Sequence, residues 1–280
     1  MKILVTGAAG QLGYDVCERL TALGIQHQGV DRADFDISDR DAVLAYITSY
    51  APDAIIHCAA FTAVDQAESQ PELCARINVD GTKNIAEAAA LTGAKMMYLS
   101  TDYVFDGQGE VAYKPEDKTA PLSVYGKTKR MGELAVLSAS SHHFIVRTSW
   151  VFGRHGSNFV QTILRLGHAN SQIRVVSDQI GSPTYTRDLA ALLCDMICTN
   201  RFGIYHAANS GFCSRAEFAE EILRQGGLQT EVIPTHSSEH PSPARRPCNS
   251  RLNQEKLERL GFARLPHWTD ALHRYLHEGN

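Results

Sequence analysis

Short apolar runs alternate with amphipathic stretches through the first half of the chain. Lys2–Thr6, His27–Asp31, Ala54–Cys58, Lys95–Ser100 and His143–Thr148 read as strands. Gln11–Leu23, Asp39–Tyr50, Pro71–Thr92 and Gly126–Ser138, which lie between them, read as helices. Strands separated by helices of this length imply βαβ units and a parallel sheet covered on both faces. Right-handed crossovers make an α/β, Rossmann-like doubly wound fold the natural solution. After Trp150 the pattern loosens. Helices are expected at Asn158–Leu166, Asp188–Thr199, Ser214–Gln225 and Asn253–Leu260, and strands at Ile173–Val176 and Gly203–His206. Thr235–Pro247 is rich in Ser, Pro and His and reads as a long loop. The expected organisation is a dinucleotide-binding domain over 1–150, to which a segment of about 178–210 returns. Residues 151–177 and 211–280 are then left for a smaller α+β substrate-binding lobe.

Composition narrows the function classes. Lys plus Arg number 27 and Asp plus Glu 31, a net charge of −4, so no basic footprint points to nucleic acid. A hydrophobic fraction of 44% is that of a folded chain rather than a disordered one. No apolar run approaches the roughly 18 residues of a membrane span. Met1-Lys2-Ile3-Leu4-Val5-Thr6-Gly7 reaches a glycine turn without a signal-peptide core, so a cytoplasmic protein is expected. The 7 cysteines are scattered, without the paired spacing of a zinc site, and read as buried free thiols.

The first strand runs into Gly7-Ala8-Ala9-Gly10-Gln11-Leu12-Gly13 and then a helix. Gly7 suits the tight turn, Gly10 lets the backbone approach a pyrophosphate, and Gly13 permits close helix–strand packing. The helix start then offers unpaired N–H groups to the phosphates, which together point to dinucleotide binding. The second strand ends at Asp31, suited to a ribose 2′-hydroxyl and hence NADH. Arg32 follows, suited to the 2′-phosphate of NADPH, and the choice between the two stays open. Asp34-Phe35-Asp36-Ile37 forms an acidic loop usable at the adenine edge, and Ala59-Ala60-Phe61-Thr62 forms a small-residue crevice wall.

The catalytic signal is Tyr125-Gly126-Lys127-Thr128-Lys129. Tyr125 and Lys129 share one helix face, and an ammonium close to a phenol lowers its pKa from about 10 toward working pH. The strand before them ends in Ser100-Thr101-Asp102, which offers a hydroxyl to polarise a carbonyl.

These features resemble the extended short-chain dehydrogenase/reductases and, among them, the dTDP-4-dehydrorhamnose reductase family. The resemblance rests on Ser100-Thr101-Asp102-Tyr103-Val104-Phe105-Asp106-Gly107, on Tyr125–Lys129, on Asp178–Thr184 and on Arg245-Arg246-Pro247-Cys248-Asn249-Ser250-Arg251-Leu252. It implies NAD(P)H-dependent reduction of the C4 keto group of a dTDP-sugar, with Tyr125 as proton donor, Lys129 as its partner and cofactor ligand, and Thr101 orienting the carbonyl. Leu99 joins Ala60, Phe61 and Thr62 in the implied cofactor wall, with Asp36 and Ile37 at its adenine end. Asp102, Val104, Trp150 and Asn158 are implied at the sugar, and Arg246 at the diphosphate. Some members dimerise around Mg²⁺. Asp15 and Asp188 lie near two of those ligand positions, whereas Leu276-His277-Glu278-Gly279-Asn280 offers no third. No metal is therefore assigned, and a homodimer stays open. Two alternatives remain: a non-catalytic regulatory subunit like those that bind methionine adenosyltransferase, and another nucleotide-sugar enzyme of this fold. Intact Tyr125, Lys129 and Thr101 argue against the first. Tyr103, where a dehydratase carries Glu, argues against the second.

Overall fold

The computed structural model describes residues 1–277. In strand Lys2–Thr6 (β1), Ile3 and Val5 enter one apolar cluster and Leu4 another. Apolar side chains on both sides belong in the middle of a covered sheet. β1 pairs in parallel with Gln26–Val30 (β2) on one side and Ala54–His57 (β3) on the other. Lys95–Thr101 (β4), His143–Thr148 (β5) and the strand Gly203–His206 continue beyond β3, all parallel. The chain thus leaves β1 first in one direction and then in the other, the arrangement that opens a crevice at the carboxyl ends of the strands.

The helices follow as Gln11–Ala22 (α1), Arg40–Tyr50 (α2), the short Val64–Ser69 (α3) and Pro71–Ala75 (α4), Thr82–Thr92 (α5) and Val124–Ala139 (α6). α1 and helix Thr186–Ile197 pack Val16, Leu20, Leu189 and Leu193 on Ile3 and Val5. On the opposite face, α2, α5 and α6 bury Val43, Ile47, Ile85 and Val136 against Leu4 and Tyr98. The sheet is thus Rossmann-like and doubly wound. The single helix expected over Pro71–Thr92 is interrupted by a π-helical turn at Arg76–Gly81, whose Asn78 is held by polar contacts described below.

A second core gathers Val160, Ile163, Phe218 and Trp268 from helices Phe159–Ala169, Arg215–Gln225 and Trp268–His277, with Phe152 and Ile173 from strands Val151–Phe152 and Gln172–Val176. Strand Glu231–Thr235 pairs in parallel with Gln172–Val176, so the expected loop over Thr235–Pro247 begins at a strand end and contains a 3₁₀ turn at Ser237–Glu239. Neither that strand nor helix Trp268–His277 is among the expected elements. Ile180–Gly181 pairs with Cys213–Ser214 and Asn249–Ser250, while Leu257, Phe262 and Leu265 return to the core of the large sheet. All 7 cysteines are free, but Cys198 and Cys248 are exposed rather than buried.

One ion pair sits at the centre of the sheet's helical face. Glu133 of α6 is fully buried and accepts from Arg147 Nε at 2.7 Å and Nη2 at 2.9 Å, from Ser100 Oγ at 2.6 Å and from Arg130 at 2.7 Å. Arg147 also donates to the Pro115 carbonyl at 3.1 Å. Burial pushes the Glu133 carboxyl up, but the donors around it outweigh burial and hold it below its ordinary range. Glu133→Ala strands Arg147 in the interior, and removing one partner of a buried pair costs about 3–5 kcal/mol. Urea unfolding at neutral pH should show a loss of that size; a change under 1 kcal/mol would refute it.

Candidate active site

β1 delivers the chain into the glycine loop. Gly7 adopts φ 70°, and a Cβ there would lie 2.6 Å from the Ala59 nitrogen. A Cβ on Gly13 would enter the Gly7 carbonyl. Only glycine fits either place. Gly10 is the N-cap of α1 and gives it no side-chain cap, so the first-turn N–H groups of Gln11, Leu12 and Gly13 remain open to an anion. This cradle fits a dinucleotide pyrophosphate. Gln11 donates to the Ser157 carbonyl at 3.2 Å, bringing the segment before helix Phe159–Ala169 against the loop.

At the adenine end, the Asp31 carboxylate accepts the Ala9 N–H and so braces the glycine loop itself, while Arg32 is exposed. Asp36 accepts the backbone N–H and hydroxyl of Ser38 at 2.9 and 2.8 Å, bonds that hold its carboxyl below the usual range. Ile37 packs against Gly81, and its carbonyl accepts from Asn84 at 3.0 Å. Ala60, Phe61 and Thr62 follow β3, and Leu99 lies almost buried near the end of β4. Asn78, on the π turn, accepts the Phe61 N–H at 2.8 Å and donates to the Phe61 carbonyl at 3.1 Å. The same amide reaches Thr128 of α6 at 3.1 Å. One side chain thus ties the crevice wall to the helix that carries Tyr125.

α6 begins at Ser123, which accepts the Gly126 N–H at 3.0 Å, and the Glu68 carboxylate accepts the Val124 N–H at 2.8 Å. Tyr125, Lys129 and Glu133 follow at four-residue spacing, and the buried Glu133 pair fixes the rotation of that stripe. Tyr125 hydrogen-bonds to Thr101. Its phenol is pushed up by burial, opposite to the lowering the sequence predicts, because desolvation outweighs the Thr101 hydrogen bond. Burial pulls buried Lys129 down to about 7, and its ammonium lies 4.2 Å from the centre of the Tyr98 ring.

Thr101 donates to Asp102 Oδ1 at 3.0 Å, and the Ser250 hydroxyl donates to Oδ2. Burial pushes the Asp102 carboxyl up to about 6 despite these bonds. Trp150 takes a φ of 49°, and the Arg215 guanidinium lies 3.7 Å from the centre of its ring. Tyr125, Thr101 and Asp102 thus form one neighbourhood, with Lys129 one turn along α6, and Arg215 joins Trp150 to Asp102, whose charge it feels.

Three expected site residues are used differently. Val104 is fully buried with Phe105 and Leu252, so its side chain packs. Asn158 spends its amide on the start of helix Phe159–Ala169, accepting from Gln161 at 3.0 Å and donating to the Gly153 carbonyl at 2.7 Å. Arg246 grips Asp65 with both terminal nitrogens, at 3.0 and 2.7 Å. A cavity of about 860 Å³ lies beside the cluster, lined by Phe159, Gln179, Arg215, Arg245 and Arg246 among others. Arg215 and Ser250 join the site without having been expected there. Ser250 lies in a segment that carried the resemblance. Arg215 had only its place after the helix-capping Ser214 to mark it.

Among the described residues, no group of three or more His, Cys, Asp or Glu side chains is placed to hold a metal. Asp188 is instead held by Arg274 at 2.7 Å through both oxygens and by Asn209 at 2.7 Å. Asp15 is buried against Thr186, and burial pushes its carboxyl up. Glu278, Gly279 and Asn280 lie outside the described residues. No helix among the described residues is long and apolar enough to cross a membrane.

A family model described as the RmlD substrate binding domain matches residues 1–280. A spore coat polysaccharide biosynthesis protein, SpsK of Bacillus subtilis, is 41% identical over 99% of this chain and 97% of its own. A dTDP-4-dehydrorhamnose reductase of Sinorhizobium fredii is 42% identical over 98% of this chain and 96% of its own. Among solved structures, dTDP-4-dehydrorhamnose reductase of Bacillus anthracis, in complex with NADP, superposes with a TM-score of 0.96 at 40% identity, covering 99% of each chain.

The raised Asp102 carboxyl has a consequence for stability. An unfolded Asp ionises near 4, so between there and about 6 the unfolded chain releases a proton that the folded one keeps. Stability therefore falls as pH rises through that window. Asp102→Asn removes the effect: it should stabilise the protein by about 1–3 kcal/mol at pH 8, with the gain vanishing near pH 4. Thermal melts of both proteins across that range check this; a gain that is the same at both ends refutes it.

Proposed function

The chain belongs to the RmlD substrate binding domain family, and from that premise we propose that it reduces the C4 keto group of dTDP-4-dehydro-L-rhamnose to give dTDP-L-rhamnose. The observation that carries the reading is the contact of Tyr125 with Thr101, on strand and helix ends that face the same crevice as the glycine loop. Gly7, Gly10 and the start of α1 would hold NADPH or NADH, which would supply the hydride. NADP in the Bacillus anthracis relative supports the nicotinamide assignment.

Every other step falls to side chains. Thr101 hydrogen-bonds the carbonyl oxygen and fixes its direction. Tyr125 is protonated at any working pH, because burial raises its phenol, and gives its proton to that oxygen as negative charge develops. The Lys129 ammonium, four residues along the same face, stabilises the phenolate left behind and serves the nicotinamide ribose. Trp150 offers a flat surface to the deoxyhexose, and Asp102 a hydrogen-bond acceptor to its hydroxyls.

Tyr125→Phe keeps the ring and removes the proton. Turnover of dTDP-4-dehydrorhamnose, followed by cofactor oxidation, should fall about 10²–10⁴-fold with cofactor affinity retained. Lys129→Met should damage both. The alkaline limb of kcat/KM should sit near pH 7, where Lys129 loses its charge, and disappear in Lys129→Met. Wild-type turnover in Tyr125→Phe refutes the proton-donor role. Absence of any turnover by the wild-type protein, with either cofactor, refutes the reaction itself.

A further inference from the structure

Burying a cation is costly unless something pairs with it. The residues lining the 860 Å³ cavity include three arginines and one histidine but no Asp or Glu. Arg246 is neutralised by Asp65, and Arg245 lies on an exposed stretch of loop. Arg215 is different. Its guanidinium is desolvated enough that burial pulls it down to about 10, and it makes no ion pair among the described residues. Its contacts are aromatic: the Trp150 ring at 3.7 Å and the Phe159 ring at 5.1 Å.

Those rings hold the guanidinium flat without using its N–H donors, since a cation over a ring interacts with the face and leaves the edge free. A cation–π contact contributes about 0.5–2 kcal/mol, less than the desolvation of a charge. Asp102 and Tyr103 attract it only at longer range, and the Asp102 charge is itself weakened by burial. The fold therefore keeps a positive group with a free hydrogen-bonding edge on the wall of a cavity that contains no negative one.

We propose that Arg215 is the anion anchor of this site, its guanidinium edge taking the phosphoryl oxygens of the nucleoside-diphosphate substrate. The inference rests on the reading given under the proposed function and moves the diphosphate contact from Arg246, whose fork is occupied. A planar fork on a phosphate forms paired, charge-assisted hydrogen bonds. Seated on Trp150, the same residue sets how far the sugar reaches toward Thr101 and Tyr125.

The test compares wild type, Arg215→Gln and Arg215→Lys, each saturated with NADP⁺ so that added nucleotide cannot report from the cofactor site. Calorimetric titration with dTDP and with thymidine separates phosphate from nucleoside. Arg215→Gln should weaken dTDP about 10- to 100-fold while leaving thymidine within about threefold, and raise KM for dTDP-4-dehydrorhamnose in parallel. Arg215→Lys, with its charge but not its fork, should recover part of the loss. If Arg215→Gln binds dTDP as tightly as wild type, or if dTDP and thymidine weaken equally, the anchor is overturned while wild-type turnover stands. If wild type neither binds dTDP nor reduces the keto sugar, the functional reading falls and the anchor falls with it.

Discussion

The carboxylate of Glu133 decides where the chemistry of this protein can be. It is shut away from water and surrounded by donors from three places: Arg147 of β5, Ser100 of β4 and Arg130 one turn earlier in α6. A helix resting on a sheet through apolar contacts alone can roll by a fraction of a turn at little cost. This one cannot, because rolling would uncouple a buried charge from its partners. Lys129 and Tyr125, one and two steps up the same stripe, inherit that fixed rotation. The tie at the helix start, Glu68 to the Val124 N–H, sets its other end.

Around that scaffold, burial pulls each titratable group toward its neutral form, and the neighbours decide how far. Tyr125 stays a phenol, Lys129 is brought near neutrality, and Asp102 is held above the ordinary carboxylate range. Only Glu133 keeps its charge firmly, because its donors outnumber its losses. A phenol that keeps its proton, an amine that titrates near neutral pH and a carboxyl that shares its proton readily are therefore consequences of one poorly hydrated corner.

The strands of the sheet, their alternation with helices and the glycine loop were legible because each is written in local sequence: apolar runs of strand length, amphipathic spacing and glycines at a strand–helix junction. The stripe of Tyr125 and Lys129 was legible for the same reason. What escaped depends on distant pairing. Arg246 was implied at a diphosphate, whereas in the fold Asp65, far away in sequence, accepts from both of its terminal nitrogens. Asn158 looked like a ligand and serves as a helix cap. The lowered phenol expected from Lys129 failed because spacing reveals proximity but not desolvation. Helix Trp268–His277 could have been read: Trp268, Ala271, Leu272 and Tyr275 have helical spacing.

The π turn at Arg76–Gly81 carries an implication for how this chain tolerates change in length. One surplus residue in a helix widens a single turn and brings round a side chain that would otherwise point elsewhere, here Asn78 with its bonds to Phe61 and Thr128. Deleting one residue from that turn would leave an unbroken, more regular helix, by most measures a better one. The flanking helices would stay nearly in phase, because the wide turn had absorbed the surplus residue, but Asn78 would no longer be brought round to Phe61 and Thr128. The crevice wall would then lose its link to the helix of Tyr125. In this segment an irregular backbone is the working form, and the ideal helix would be the defective one.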